Sequence, residues 1–321
     1  MKKTRILVAI ITFTMMCINT NAQLDRFNKA VQRGAERAVE KKAEEKAEEV
    51  VSKEIDKGFE KAEAERKKGE AEAEKGLNKG IEKLEEMQKN DEEAQAEMAK
   101  ISDEIPEVGN APYTPNENEY AFFAMKKGVV QEYLLKDAKG KITSQVRNKV
   151  TDITGGKNAF AVYYESESLD DKGKPTNKDN PMIINYRVVV KDGTMYLDTK
   201  SMFGAMEGID DVVATGSAVK IPQNLSVGQA IPDASAKVKI GPINCLVVVT
   251  EGKCVAIEDV NVEAGTFKCY KISQKNNSTI MGIKSEGTTL TWYAKGVGEV
   301  KSETYDKAGK LKNTKELKSN N

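Results

Sequence analysis

From about residue 119 to 318, runs of Val, Ile, Tyr, Phe and Thr alternate with short polar clusters. Alternation with a period of two is the signature of strands with one face buried. The runs predict strands over 129–136, 142–153, 158–166, 183–190, 194–199, 236–240, 244–249, 254–262, 266–273, 288–294 and 299–305. Most links between them are too short for βαβ crossovers, so the strands should pair antiparallel. Four turns repeat one grammar: Asp137 to Gly140, Asp170 to Gly173, Asp192-Gly193 and Asp306 to Gly309. Asp folds its carboxylate back onto the turn backbone, and Gly supplies the positive φ that closes it.

Residues 23–104 obey a different pattern. Phe27, Val31, Ala35, Val39, Ala43, Ala47, Val51, Ile55 and Phe59 recur every fourth position. Four exceeds the 3.6 residues of a helical turn, so this stripe winds slowly around a helix instead of holding one seam. The segment carries 18 basic and 24 acidic residues, about half its length. It reads as a charged helical arm, either a coiled-coil or partner-binding spacer or a solvated helix held by i,i+4 pairs such as Glu49–Lys53. Pro106, Pro112 and Pro115, with Gly109 and Asn110 between them, make 105–118 a linker.

The first 22 residues form a third pattern. Lys2, Lys3 and Arg5 precede an apolar run from Ile6 to Ile18, and Thr20-Asn21-Ala22 offers small residues for a peptidase. This is the layout of a secretory signal, with cleavage expected between Ala22 and Gln23. Cys17 follows Met15-Met16, which are not the small residues that precede a lipidated cysteine. No later segment approaches the roughly 20 apolar residues of a membrane helix. The mature chain is expected in the periplasm or outside the cell.

Composition then narrows the chemistry. The chain has 50 basic and 50 acidic residues and no histidine. Balanced charge gives no basic footprint for nucleic acid. Without histidine the usual Ser-His-Asp and Cys-His nucleophile systems are absent, as are imidazole zinc sites. No cofactor is implied. Carboxylates are plentiful, so a carboxylate-dependent hydrolase stays open as a minor alternative, although no pair stands out. Glu299 and Glu303 share one strand face, an ordinary arrangement on an exposed face.

Three cysteines follow the signal: Cys245, Cys254 and Cys269. If Glu251-Gly252 and Glu263-Ala264 are two-residue hairpin loops, Cys245 faces Glu258 and Glu258 faces Cys269. The two sulfurs would then lie two strand spacings apart, about 9.5 Å, beyond the ~7 Å reach of a disulfide. All three are therefore expected as free thiols.

The β region resembles the TapB-like group, a family of secreted bacterial domains of unknown function. The resemblance covers 119–318 and rests on Lys127-Gly128, Glu132-Tyr133, Ile221-Pro222, Ile231-Pro232-Asp233-Ala234, Ala264 to Ile272, and Trp292 to Glu303. It implies a curved antiparallel β domain and no established reaction. Trp292 and Tyr293 are neighbours on a strand and so face opposite sides. On a curved sheet the inward one either lines a concave ligand seat or fills the core. Trp292, Tyr293, Tyr133 and Phe267 are the candidate ligand-facing or structural residues. The expected fold is an all-β antiparallel domain, a curved sheet, half-barrel or sandwich, preceded by the charged helical arm. The expected function is non-catalytic binding of a hydrophobic small molecule or an envelope protein. A self-associating structural spacer is the alternative.

Overall fold

A computed structural model describes residues 82, 85–96, 104–115, 122–176, 183–204, 212–240, 243–280 and 282–321. The chain separates into two compact units, one comprising Met1–Asn21 and Asp91–Asn321, the other Ala22–Asn90. The expected signal, its cleavage point and nearly all of the helical arm lie outside the described residues. In the second unit the described residues, 82 and 85–90, are helical.

The first unit is one antiparallel sheet. Its strands are β1 (Val130–Asp137), β2 (Ile142–Gly156), β3 (Ala159–Leu169), β4 (Ile183–Lys191), β5 (Thr194–Asp198), β6 (Val212–Ser217) and β7 (Lys220–Pro222). They are followed by β8 (Ala230–Ile231), β9 (Ala234–Ile240), β10 (Ile243–Val262), β11 (Gly265–Ile280), β12 (Ile283–Ala294), β13 (Gly298–Asp306) and β14 (Leu311–Asn320). A short helix, α1 (Thr199–Gly204), follows β5, and residues 91–96 are also helical. The spatial order is β6-β9-β10-β11-β12-β13-β14-β1-β2-β3-β4-β5-β7, with β8 on β10. Sequence neighbours pair nearly throughout, and the β1–β14 pair joins the beginning to the end.

The two ends of this order are β6 and β7, which are consecutive in the chain. The sheet therefore curls into a nearly closed, barrel-like form. Ser217 holds the seam. Its Oγ accepts from Leu197 N at 2.9 Å and Val219 N at 3.1 Å, and donates to Val219 O. On its other side, Gly216 lets β6 lie close against β9: its φ is +77°, and a Cβ there would lie 2.1 Å from Ser235 O. Curling brings the buried faces of β2–β11 onto one interior cluster that includes Val150, Phe160, Tyr164, Ile221, Val247 and Ile272.

Two segments outside the strands complete the interior. Residues 111–113, read as linker, lie along β2: Tyr113 N donates to Ile153 O and Gly155 N to Ala111 O. Phe122, Phe123 and Ala124 are buried among the strands. Phe122 meets Tyr270 edge-on at 5.2 Å and Tyr293 at 6.0 Å, while Tyr164 OH donates to Ala124 O at 3.0 Å.

Two strand expectations need correction. Among the described residues fourteen strands form rather than eleven: β6, β7, β8 and β14 went unread, and two expected strands are one. The second correction concerns β10, which is one strand of 20 residues. Glu251-Gly252 is a bulge inside it, not a hairpin loop. Glu251 takes φ +53° and the pairing with β11 skips between Thr250 and Lys253. Gly252 is there for clearance, since a Cβ would lie 2.6 Å from Ile231 Cβ on β8. Such a bulge absorbs an extra residue without ending the strand.

Candidate functional site

The curled strands enclose a partly open cavity of about 100 Å³. Six aromatic rings line it: Phe122, Phe123, Tyr133, Tyr164, Tyr186 and Tyr293. Their convergence follows from register. Tyr164 on β3 lies directly opposite Tyr186 on β4, so their rings stack at 5.0 Å and 8°. Tyr270, Tyr293 and Glu299 form a row across β11, β12 and β13. Gly298, at φ +110°, lets the Phe122-Phe123 backbone pass. A Cβ there would lie 3.1 Å from Phe123 Cα.

One ion pair sits in this wall. Lys315 Nζ contacts Glu299 Oε2 at 2.9 Å, with side-chain exposures of 8% and 17%. The same ammonium lies 4.4 Å from the centre of the Tyr133 ring. A cation over an aromatic face gains from the ring quadrupole, more so when water is excluded. The pair is internally neutral. Burial holds the Tyr133 and Tyr164 hydroxyls well above the ordinary tyrosine range, with Glu299 adding to the effect on Tyr133. These phenols are therefore neutral donors at physiological pH.

A polar row crosses the wall beside the pair. Asn320, Gln131, Asn148 and Ser166 are successive cross-strand partners on β14, β1, β2 and β3. Gln131 is satisfied, as its Nε2 donates to Val297 O at 2.8 Å and Asn320 Oδ1 at 3.0 Å. Asn148 Oδ1 and Ser166 Oγ are buried without a hydrogen-bond partner.

Of the four aromatic residues expected from the sequence, Tyr133 and Tyr293 line the cavity. Trp292 lies elsewhere, packed with Cys269, Ala294 and Val300. Its cross-strand neighbours are Lys271 and Lys301, whose ammonium groups lie 4.7 and 5.2 Å from the ring centre. The indole N–H donates to Glu258 Oε1 at 2.6 Å. Phe267 packs against this cluster and against Tyr133, Leu135, Val146 and Leu317.

The three cysteines are buried and unpaired. Cys269 faces Glu258, as the register argument has it. Cys245 faces Ile280 and Cys254 faces Ile272, because β10 continues through its bulge. Burial pushes the Cys245 thiol up to about 12. It does the same to Cys269, with Asp259 and Glu258 adding. Protonated buried thiols are poor nucleophiles. Among the described residues, no group of three or more Cys, Asp or Glu is placed to hold a metal ion, and no helix is long and apolar enough to cross a membrane.

Sequence reasoning missed Glu299–Lys315 as a pair, and with it Gln131, Asn148, Tyr164 and Tyr186. Lys315 was hidden because β14 reads as a polar tail. The turn Asp306 to Gly309 was the available signal, because the same grammar elsewhere is followed by a strand.

The DUF3108-like family profile matches residues 126–317. The chain belongs to the DUF3108-like family. Two solved structures share the fold of this DUF3108-like domain. One, from Bacteroides fragilis, is described as an exported protein with a YmcC-like fold. It is 20% identical with a TM-score of 0.52, covering 63% of this chain and 99% of that one. The other, from Parabacteroides distasonis, is described as a lipoprotein. It is 19% identical with a TM-score of 0.52, over the same shares of the two chains. No curated protein matches.

Proposed function

We propose that the DUF3108-like domain is a non-catalytic binding module of the bacterial envelope. In this reading it receives one end of a ligand in its tyrosine-lined cavity. The narrower TapB-like kinship of 119–318 belongs to the same proposal. Envelope placement draws on the signal pattern of residues 1–22 and on two fold neighbours described as exported or as a lipoprotein.

The observation that carries the reading is the convergence of six aromatic rings on one cavity from segments far apart in sequence. Ordinary cores close such gaps, because interiors pack to crystal-like density. Size limits the ligand. An apolar cavity of ~150 Å³ holds benzene, and sites for whole drug-sized ligands run to roughly 300–1,000 Å³. About 100 Å³ therefore accepts the end of a molecule and leaves the rest outside. With neutral phenols and a lysine neutralised by its own carboxylate, the wall offers no activated nucleophile.

Native mass spectrometry of the protein purified from its own envelope tests this. Wild type should retain a bound mass. Val188→Phe, which fills the cavity from β4, should lose it while keeping its near-UV circular dichroism. The same mass on both, or on neither, would contradict the reading.

A further inference from the structure

β10 outruns its neighbours on one side. Its outer edge pairs with β9 from Ile243 to Val249, with β8 at Gly252 and Lys253, and with the Gly228-Gln229 backbone at Cys254. Beyond Cys254 the strand runs on to Val262, paired with β11 on its inner side and, among the described residues, with no strand on its outer side. With one face packed, a strand hides every second residue. Here Ile257, Glu258 and Asp259 are exposed in succession, as is Asn261, in keeping with an open edge.

The register says which backbone groups are unspent. The pair flanking a two-residue loop exchanges both N–H···O bonds, and such pairs alternate along an antiparallel ladder. Glu263-Ala264 is the loop, so Val262, Val260 and Glu258 spend their backbone groups on β11. Asn261, Asp259 and Ile257 each turn an N–H and a C=O outward. Cys254 gives the same phase. Its N and O both serve residues 228–229 on the outer side, and the bulge before Ala256 shifts the alternation by one residue. Unpaired groups in a row are a template for another strand.

The side chains along this edge narrow the guest. Among the described residues five large apolar side chains are exposed, and three gather here: Val255, Ile257 and Val227, which precedes the Gly228-Gln229 segment. Charge is one-sided. From Val255 to Glu263 the strand carries Glu258, Asp259 and Glu263 and no basic residue. Glu258 is held by Lys271 and the Trp292 indole. Asp259 has Lys268 across the ladder, yet neither it nor Glu263 closes an ion pair among the described residues. A second copy would set these carboxylates against their own kind, which cross-strand pairing penalises. A basic guest would not.

We propose that the outer edge of β10 from Val255 to Asn261 is a strand-addition site for an extended segment of a partner protein, apolar at one end and rich in Lys or Arg at the other. Main-chain bonds to Ile257, Asp259 and Asn261 hold the segment. Its apolar end lies beside Val255 and Ile257, and its basic end beside Glu258 and Asp259. The proposal is independent of the cavity.

The probe is a capped heptapeptide, Thr-Thr-Lys-Lys-Val-Thr-Val, which in the antiparallel sense sets its lysines beside Asp259 and Glu258 and its valines beside Ile257 and Val255. Amide hydrogen exchange of the purified chain is followed by NMR. Without peptide, the Ile257, Asp259 and Asn261 amides should exchange fast, while Glu258, Val260 and Val262 are protected. At ten times its Kd the peptide should slow the three fast amides about tenfold. The same peptide with Glu in place of Lys should bind at least ~5-fold more weakly, and Asp259→Lys should narrow that gap to about twofold. Methylating the peptide nitrogens of its third and fifth residues, which face the edge, should abolish binding. Ile257→Pro removes an outward N–H and no ladder bond, so it should keep the near-UV circular dichroism of wild type and lose the peptide. Unchanged amides with the lysine peptide, or equal affinity for the two peptides, would overturn the proposal. So would protection of the three amides that grows with protein concentration alone, because the edge would then belong to a second copy.

Discussion

Two places in this sheet use the same parts to different ends. At Trp292, lysines approach the ring from the two neighbouring strands, and Glu258 accepts the indole proton. At Tyr133, one lysine lies over the ring and one carboxylate, Glu299, holds it. The Trp292 group has protein on every side: Cys269, Ala294 and Val300 pack against it, and each polar atom named has a partner. The Tyr133 group borders a cavity with an unmatched acceptor. The two lie close in the sheet. Lys271, Trp292 and Lys301 make one cross-strand row, and Tyr270, Tyr293 and Glu299 make the next. A one-residue step along the strands switches faces, and with it a closed clamp becomes an open wall. The chemistry of a lysine over an aromatic ring therefore does not identify a site. The packing around it does.

The largest expected effect is on the cavity side. Phe122→Ala removes a fully buried ring that touches Tyr270 and Tyr293, and should destabilise by about 3–5 kcal/mol in urea denaturation. A loss under 1 kcal/mol would mean that the 122–124 segment is not seated among the strands.

Lys315→Met should follow at about 2–3 kcal/mol, because Glu299 is left part-buried without its counter-ion. Lys301→Met should cost less, about 1 kcal/mol: Glu303 loses its ammonium at 2.8 Å but keeps the Tyr305 hydroxyl, and Lys271 still covers Trp292. Adding Glu299→Leu to Lys315→Met should recover most of the loss. Equal losses for the two lysines would erase the contrast between the two groups.

The smallest effect calibrates both. On the strand face away from the cavity, Arg147 holds Glu132 at 2.9 Å and Glu167 at 3.0 Å. The hydrogen bond from Arg147 lowers the Glu132 carboxyl below its ordinary value of 4.5, with Lys318 assisting. Since the native value is depressed, this stabilisation is fully present above pH 4.5 and fades as the pH falls through the lowered value. Glu132→Gln should cost about 0.5 kcal/mol at pH 7, a small figure because Arg147 is well exposed, and nothing once Glu132 is protonated in both states. Thermal melts of both proteins at pH 7 and at low pH check the sign. A gap that widens on acidification would contradict it.

The sequence displayed some of this plainly. The Asp-to-Gly turns were readable because their mechanism is local. Asp137, Asp170 and Asp306 each take two backbone N–H groups on Oδ1, and Gly140, Gly173 and Gly309 have positive φ. Strands with apolar inward faces, such as β3 and β4, were equally readable. β14 was not, because its inward residues are Asn313, Lys315 and Leu317, and a polar alternation looks like a solvated tail. The distal half of β11 hid for the same reason, with Asn276 and Ser278 buried. The cavity was visible only in fragments. Tyr133 and Tyr293 could be nominated singly, but their meeting with Tyr164 and Tyr186 depends on closure at Ser217, which no local pattern announces.

A crystal structure of the protein under xenon pressure tests the central contrast most directly. Xenon enters apolar space that side chains leave unfilled. The account predicts one xenon site among Tyr164, Tyr186 and Tyr293 and none beside Trp292. Xenon beside Trp292, or none against the three tyrosines, would show that the open wall and the closed clamp are not the different structures described.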